Sequence, residues 1–342
     1  MYIQKVNKRI KEYFQVLEPN YPEWLNDYIE TKELLSQNTI SVTCGTIYSD
    51  LFPSHFFYSS LDHSVAVALI VWHFTHDKKQ TLSGLFHDIA TPCFKHCVDF
   101  LNGDYMMQES TEDLTTDIIR NSKEIMSLLK RDGITLEEVN DYHLYPIADN
   151  DTPRLSADRL EYSLSNALFT YELLELDAIR DIYNDIVVQK NEDGIDELGF
   201  QTKKIARSFV KVTSELSVIY REDRTRYSMQ FLADILKRLQ QENILTIDDL
   251  YTHSESDIIQ LIEKSKYKDI YSLWKNAKKV KSSLDEPKNV YYVKHGAKIR
   301  YIDPLWNGVR MSSACKIAKR MIDKNLSYQM DSYVYLNFHF PE

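Results

Sequence analysis

Residues 61–96 read LDHSVAVALIVWHFTHDKKQTLSGLFHDIATPCFKH, and the rest of the chain is organised around this stretch. His63 stands at the head of one apolar segment, and His87 and Asp88 stand side by side at the end of the next. A buried carboxylate is costly unless a cation, a metal ion or several hydrogen-bond donors pair with it. The His-Asp doublet is therefore a candidate site rather than ordinary core.

Two helices are predicted within this stretch. Asp62 is a suitable N-cap for a helix that begins at His63, and residues 65–74 are apolar nearly all round, so this helix is expected to be central. A buried strand over the same residues is the competing interpretation, because short apolar runs fit both. The second helix is expected to end near Thr91, since Pro92 disfavours helical backbone in the residue before it. That end places the His-Asp doublet in the last helical turn, where it can face a cleft.

A further carboxylate, Asp158, lies in the segment LSADRLEY at 155–162, near the start of a long helix predicted over 154–176. With the two histidines and Asp88, it makes a set of two imidazoles and two carboxylates. Such a set suits one divalent ion (Mn, Fe, Ni, Zn or Mg) and leaves positions open for water and substrate. A purely structural polar network of the same four side chains is the alternative.

In this order, His63, the doublet His87-Asp88 and Asp158 resemble the signature of the HD-domain metal-dependent phosphohydrolases. The resemblance runs over roughly residues 60–162. It includes the phrase HDIATPCFKH after the first helix pair and the phrase ADRLEY around the last carboxylate. The resemblance implies that these four residues are the metal ligands.

The resemblance also implies a fold and an activity. The fold is mostly α, with an HD-domain helical bundle core at about 55–180 inside a helical domain of residues 1–285. The activity is hydrolysis of a phosphate ester or anhydride, with a nucleotide as the favoured substrate, by a metal-activated water.

Further roles around the metal follow from the same resemblance. In the deoxynucleoside triphosphate triphosphohydrolases of this superfamily, a basic residue and a tyrosine at the positions of Arg159 and Tyr162 contact substrate phosphate or sugar. His96 and Glu109 match further catalytic positions of that group. We expect His96 to act as a general acid, because imidazole titrates near neutral pH, and Glu109 to orient water or a donor. Asp88 is expected to serve catalysis as well as metal binding.

Three positions depart from the triphosphohydrolase pattern. Ser60 replaces an arginine, Thr91 replaces an added catalytic histidine, and Gln108 replaces the first residue of a His-Glu pair. We assign Thr91 to substrate binding. The departures motivate an alternative, a non-catalytic nucleotide-binding or regulatory HD module. A third alternative, oxidation at two irons, needs more histidines after the doublet, and only His96 is near.

Composition limits the class of protein. Only 8 glycines and 9 prolines among 342 residues favour helices over a loop-rich or all-β design. The net charge of −10 argues against nucleic-acid binding. The sequence has no apolar run of 18 residues and no secretion signal, so no membrane contact is expected. Four cysteines without Cys-x-x-Cys spacing fit a reducing cytoplasm. The expected partner is a small phosphorylated substrate, and a homo-oligomer is left open.

The C-terminal part changes character. Residues 264–300 hold 11 Lys or Arg against three acids, which indicates either solvated helix faces or a local field that attracts a polyanionic ligand. Residues 286–342 are expected to form a small α+β subdomain, with a hairpin of strands at 289–293 and 298–302. Residues 190–199, which are polar and hold two glycines, are expected to form a loop.

Overall fold

The computed structural model describes residues 1–101, 103 and 114–341. Its helices are α1 Tyr2–Lys5, α2 Lys8–Leu17, α3 Leu25–Ile29, α4 Lys32–Ser36, α5 Ser60–Thr75, α6 Lys78–Phe86, α7 Cys97–Leu101, α8 Thr115–Asn121, α9 Lys123–Asp132, α10 Ala157–Ser165, α11 Leu176–Asn184, α12 Lys203–Ile219, α13 Asp223–Gln241, α14 Ile247–Thr252, α15 Glu255–Lys264, α16 Lys268–Lys275, α17 Met311–Ala314 and α18 Lys316–Leu326. Its strands are β1 Ile186–Lys190, β2 Asp196–Phe200, β3 Lys281–Ser283, β4 Tyr292–Val293, β5 Leu305–Trp306, β6 Val309–Arg310 and β7 Tyr333–Tyr335. The prediction of a mostly α fold with a small β part is confirmed. Among the described residues, no helix combines the length and apolar character that crossing a bilayer requires.

Helix α5 is the central element. Ser59 is its N-cap, and a capping box joins the Ser59 side chain to the backbone of Asp62 and the Asp62 carboxylate to the backbone of Ser59. Every residue from 60 to 71 is buried, and α5 packs against α2, α6 and α10. The prediction of a central helix is confirmed, and the buried-strand alternative is wrong. The helix begins before His63 because Ser59, rather than Asp62, caps it.

Helix α6 ends just before the His-Asp doublet. His87 is its C-cap, and Asp88 lies in the turn that follows, where its carbonyl accepts a hydrogen bond from the Thr91 backbone N–H at 3.0 Å. The prediction that His87 and Asp88 lie in the last turn of the helix is therefore corrected: His87 is the C-cap, and Asp88 lies in the turn after the helix. Gly84 lets α6 approach α5 closely, since a Cβ there would lie 3.3 Å from a methyl group of Val67. This close packing fixes the doublet relative to the central helix.

The long helix predicted over 154–176 is broken. Helix α10 passes into a π-helical segment, Asn166–Thr170, and the chain then leaves the helix until α11. Glu172 has a positive φ of 52°, which ends the helical path. The backbone N–H groups of Leu173 and Leu174 both donate hydrogen bonds to the carbonyl of Ala167. The apolar periodicity continues across the break because both segments pack on the same core.

The strands form two small sheets, with orders β1-β2-β5-β6 and β3-β7-β4. Residues 186–200 form a hairpin, so the predicted loop at 190–199 is wrong except for its turn. The predicted hairpin of 289–293 with 298–302 is also wrong. Strand β4 pairs with β7 instead, and residues 298–302 form no strand in the described chain. Strands from both sides of residue 286 share each sheet, and a subdomain boundary there stays a prediction.

The core is divided into two apolar clusters. The first contains α5, α6 and α10, and the second contains α7, α13, α15 and α16. Residues 294–304, which we call the strap, run between the clusters without helix or strand. Val293, just before the strap, belongs to the second cluster, and Ile302 belongs to the first. The strap therefore crosses the junction of the two clusters.

A buried glutamate supports the turn between α6 and α7. The Glu255 carboxylate accepts hydrogen bonds from the Tyr48 hydroxyl at 2.7 Å and from the Phe94 backbone N–H at 3.1 Å. Phe94 and Lys95 have positive φ values of 64° and 45°, which L residues rarely adopt. Burial raises the pKa of Glu255 to about 7, although its hydrogen bonds from Tyr48 and Phe94 act in the opposite direction.

We expect Glu255→Gln to flatten the pH dependence of stability. An acid whose folded pKa exceeds its unfolded value of about 4.3 takes up a proton on folding, so the free energy of unfolding falls as the pH rises from about 4.3 to 7. The wild type should lose roughly 3 kcal/mol at this residue across that window, and the glutamine variant should not. Denaturant titrations across the window measure the difference.

Glu263→Gln, which changes an exposed glutamate of the same helix, is the matched control and should behave as the wild type. Parallel stability profiles for the wild type and Glu255→Gln would contradict the expectation.

Candidate functional site

Four side chains that are distant in sequence converge at one end of α5. The Nε2 atoms of His63 and His87 lie 3.1 Å apart. Asp88 Oδ2 lies 3.8 Å from the first and 3.7 Å from the second. Asp158 Oδ1 lies 3.2 Å and 3.7 Å from the same two nitrogens. The structure therefore brings all four predicted ligands together.

These separations fit a shared cation. Bonds of about 2.1 Å to nitrogen and oxygen place neighbouring ligand atoms roughly 3.0 Å apart in octahedral and roughly 3.4 Å apart in tetrahedral coordination. Ligand atoms of His63, His87 and Asp88 all lie within 4.8 Å of one another, and Asp158 falls outside that group although it is close to both imidazoles. Asp88 and Asp158 therefore each approach the imidazole pair, and a shared ion would draw the two carboxylates closer together than they lie here.

The second ring nitrogen of each histidine is occupied. His63 Nδ1 forms a short hydrogen bond with the fully buried carboxylate of Glu161, and His87 Nδ1 lies 2.7 Å from the carbonyl of Gly84. Since both partners accept hydrogen bonds, each Nδ1 carries a proton and each Nε2 faces the site, where a metal ion would replace any proton on that nitrogen. Glu161 is held in turn by the Tyr58 hydroxyl at 2.7 Å.

Glu161 was not predicted as a site residue. Its signal lies in the sequence, because residues three apart share a helix face and Glu161 follows Asp158 by three. An acid on the buried face of an otherwise apolar helix needs a donor inside the protein. That donor, a ring nitrogen of α5, is visible only in the fold.

The charges of the site stabilise one another. Burial lowers the pKa of His63, but the carboxylates of Glu161 and Asp158 outweigh it and raise the pKa to about 10. Burial opposes ionisation of Asp88, but Lys95, His87 and His63 hold the pKa of this carboxyl well below its usual range. Against the effect of burial, the same imidazoles lower the pKa of Asp158, so the two candidate ligand carboxyl groups, Asp88 and Asp158, are ionised at neutral pH, as metal ligands must be.

Lys95 is a second residue that sequence reasoning missed. Its ammonium lies 2.5 Å from Asp88 Oδ2, and its side chain is nearly buried. The pKa of Lys95 is raised, because the neighbouring Asp88 carboxylate outweighs burial. Phe94 and Lys95 have left-handed backbone, and in this conformation the Lys95 side chain reaches Asp88. No sequence pattern used above predicts that conformation.

The four side chains lie in a cavity of about 540 Å³ at the junction of the two apolar clusters. Its size is in the range of small-molecule sites, roughly 300–1,000 Å³. One wall carries three tyrosines, Tyr162, Tyr171 and Tyr220, with ring centroids 6.5 Å apart for the first and third and 6.1 Å apart for the second and third. The cavity thus combines a charged end with an aromatic wall.

Two predicted substrate contacts, Arg159 and Tyr162, line this cavity. Arg159 Nη1 donates to Asn150 Oδ1 at 2.7 Å and lies 3.3 Å from Asp149 Oδ1, so the wall already balances its charge. Burial raises the pKa of Tyr162 to about 12, although the positive charges of Arg300 and Arg159 act in the opposite direction. Both residues stay predicted substrate contacts.

The predicted general acid, His96, also lines the cavity. Its Nδ1 lies 2.9 Å from Asp99 Oδ2, and its Nε2 lies 3.4 Å from Nη2 of Arg300. Loss of hydration lowers the pKa of His96; Arg300 and Lys95 act in the same direction, and Asp99 opposes them. Asp99 accepts from Nδ1 and leaves Nε2 directed into the cavity.

The remaining predicted residues are placed differently. Thr91 is buried and is not among the residues that line the cavity in the described chain, and its carbonyl accepts a long hydrogen bond of 3.4 Å from Gln37. Glu109 and Gln108 lie outside the described residues. Their roles stay predictions from sequence.

Comparisons with known proteins give a fold but no family. No protein-family profile matches the chain. The uncharacterized protein YdhJ of Bacillus subtilis (strain 168) is 23% identical over 214 residues, which cover 62% of this chain and 63% of that protein. The structure of a hypothetical protein from Aquifex aeolicus is similar over 93% of both chains, with a TM-score of 0.60 and 14% identity.

A structure from Bacteroides thetaiotaomicron that is named a phosphohydrolase is similar over 91% of this chain and 94% of its own, with a TM-score of 0.60 and 13% identity. At such identities these structures show that the fold is shared. The similarity covers almost the whole chain, so the C-terminal part is included in the common fold.

We expect Glu161→Gln to weaken divalent-metal binding by about 10- to 100-fold without unfolding the protein. An amide that donates to His63 Nδ1 forces the proton onto Nε2, where it blocks the ligand position. Titration with Mn²⁺, followed by the loss of the free-ion electron paramagnetic resonance signal, measures the affinity.

Tyr13→Phe is the matched control, because it removes a weaker hydrogen bond of 3.3 Å to the same carboxylate and leaves the carboxylate in place. Equal Mn²⁺ affinity in Glu161→Gln and the control would show that Glu161 does not determine which nitrogen of the His63 ring is free to bind the metal.

Proposed function

We propose that this protein is a metal-dependent phosphohydrolase that cleaves a phosphate ester or anhydride of a nucleotide. The observation that carries the proposal is a pair of imidazole Nε2 atoms 3.1 Å apart, with an oxygen of each of two carboxylates 3.2 to 3.8 Å from them. The cavity around them is also lined by Lys and Arg side chains. The shared fold with a structure named a phosphohydrolase supports the same class. We further propose that the core at about 55–180 is an HD domain, on the order of its four motif residues.

The four ligands would hold one divalent ion, of Mn, Fe, Ni, Zn or Mg. When bound, such an ion polarises a phosphoryl oxygen and lowers the pKa of a coordinated water. Asp88 and Asp158 supply the negative charge that retains it, and Glu161 keeps the imidazole of His63 aligned. Two carboxylates and two neutral imidazoles leave coordination positions open, which a hydrolytic site needs.

The other residues of the cavity would handle the substrate. Phosphoryl transfer depends on positioning and on positive charges that stabilise the phosphate. Lys95, which pairs with the ligand Asp88, and Arg159, which lines the same cavity, are the residues proposed to supply them. To act as general acid, His96 would first take up a proton on Nε2, which faces an N–H donor of Arg300 in the structure, and would then give that proton to the leaving oxygen. The tyrosine wall at Tyr162, Tyr171 and Tyr220 offers flat aromatic surface to a nucleoside.

A non-catalytic nucleotide-binding module is the second candidate. The observation that favours it is the placement of Thr91, which stands where the triphosphohydrolases have a catalytic histidine and lies outside the cavity lining. Tight nucleotide binding without product, across several metals, would support this candidate. Rapid release of phosphate or pyrophosphate would exclude it.

We expect Asp88→Asn to abolish both metal retention and hydrolysis, because an amide is a far weaker ligand than a carboxylate. Metal analysis should show a molar ratio near one in the wild type and a small fraction of that in the variant. Phosphate release from a nucleotide and sugar-phosphate panel should fall by at least about 100-fold, as expected when metal catalysis is lost.

Asp181→Asn, at an exposed position on α11, is the control and should match the wild type in both assays. Equal metal content in the wild type and Asp88→Asn would remove the proposal.

We expect His96→Gln to slow cleavage of a nucleoside monophosphate by about 100-fold or more, and to leave metal content unchanged. p-Nitrophenyl phosphate needs no proton on its leaving group, so its cleavage should change little. Steady-state kinetics with both substrates give the comparison. Equal loss for both substrates would contradict a role in leaving-group protonation.

A further inference from the structure

The strap brings basic residues of the C-terminal part into the cavity. It is fixed at both ends, because Arg226 Nη1 donates to the carbonyl of His295 at 2.7 Å and the Asp303 N–H donates to the carbonyl of Pro153 at 2.9 Å. Between these points, Lys298 and Arg300 line the same cavity as the four candidate metal ligands. The strap therefore forms a wall of this cavity.

Arg300 is close to the reactive end. Its Nη2 lies 3.4 Å from His96 Nε2. Its charge also acts on the hydroxyls of Tyr162 and Tyr220, in opposition to burial, which raises the pKa of both. Arg300 thus lies between the predicted general acid and the tyrosine wall.

Two of the three basic residues of the strap line the cavity, and the third does not. Lys294 lies at its start, and its ammonium stacks 3.9 Å from the ring centroid of Tyr333, away from the cavity lining. Lys298 and Arg300, in contrast, line the cavity, and the protein has a net charge of −10. Cations directed inwards on a chain of that charge are typical of recognition of an anion.

We infer that Lys298 and Arg300 form a second anion subsite, which binds a phosphate of the ligand other than the one at the candidate metal position. A ligand that fills both positions is a compound with two or more linked phosphates, and a monophosphate would fill only the first. The inference rests on the proposed function only for the position of the first phosphate. It also gives a role to part of the basic run at 264–300, which the metal site leaves unexplained.

The probe is inorganic tripolyphosphate, with orthophosphate as the single-phosphate comparison. Isothermal titration at fixed free Mn²⁺ compares the wild type with Arg300→Gln, Lys298→Ala and Lys294→Ala. We expect tripolyphosphate affinity to fall by roughly tenfold or more in Arg300→Gln, because a hydrogen bond to a charged group is lost, and to fall in Lys298→Ala. Orthophosphate affinity should change by less than about threefold, which is below one such bond.

Lys294→Ala removes the same charge from the same strap outside the cavity and should bind both anions as the wild type does. Thermal melting of each variant confirms that the strap variants are folded, and Arg300→Lys should restore part of the affinity. Unchanged tripolyphosphate binding in Arg300→Gln, or an equal loss in Lys294→Ala, would overturn the subsite.

The same titrations in an Asp88→Asn background separate this inference from the proposed function. If Arg300→Gln still weakens tripolyphosphate binding in that background, and the wild type hydrolyses no phosphate compound, the hydrolase is refuted and the subsite is kept. If Arg300→Gln no longer weakens binding in folded variants, and hydrolysis by the wild type is intact, the subsite alone is refuted.

Discussion

The buried carboxylate of Glu161 accepts a hydrogen bond from Nδ1 of His63, and this contact fixes which nitrogen of the central helix faces the cavity. The same helix that carries Glu161 carries Asp158 one turn earlier, so a single element both orients one ligand and supplies another. Because Tyr58 and Tyr13 donate to Glu161, its charge is stabilised inside the core. Without the Glu161 carboxylate, nothing described here would hold the Nδ1 proton of His63 and so direct its Nε2 to a metal ion.

The packing of the two apolar clusters positions the other side chains of the cavity around His63 and Glu161. The first cluster holds α5, α6 and α10 and therefore holds the four converging side chains. The second cluster holds α7 and α13, and its junction with the first is where the α6–α7 turn and the strap meet. Glu255 stabilises that turn in a conformation that directs Lys95 at Asp88. The cavity is thus assembled from segments whose positions depend on the packing of both clusters.

Sequence patterns predicted the elements that bury their own faces and missed those that depend on distant partners. The apolar run after His63 could only be a buried element, and the order of the four motif residues indicated that they share a site. Residues 298–302 of the strap were predicted to pair with 289–293 in a hairpin, but β4, which lies in 289–293, pairs with β7 instead. Lys95 was missed because its direction depends on a positive φ that Glu255 supports from another helix. Glu161 was visible as an acid on a buried helix face, but its donor lay 98 residues away.

The central claim is that residues 63, 87, 88 and 158 share one cation, and anomalous diffraction from crystals soaked in Mn²⁺ tests it most directly. The account predicts one strong anomalous peak within about 2.2 Å of both imidazole Nε2 atoms and of an oxygen from each carboxylate. A peak bound elsewhere, or no peak at this position in crystals that contain the ion, would contradict it.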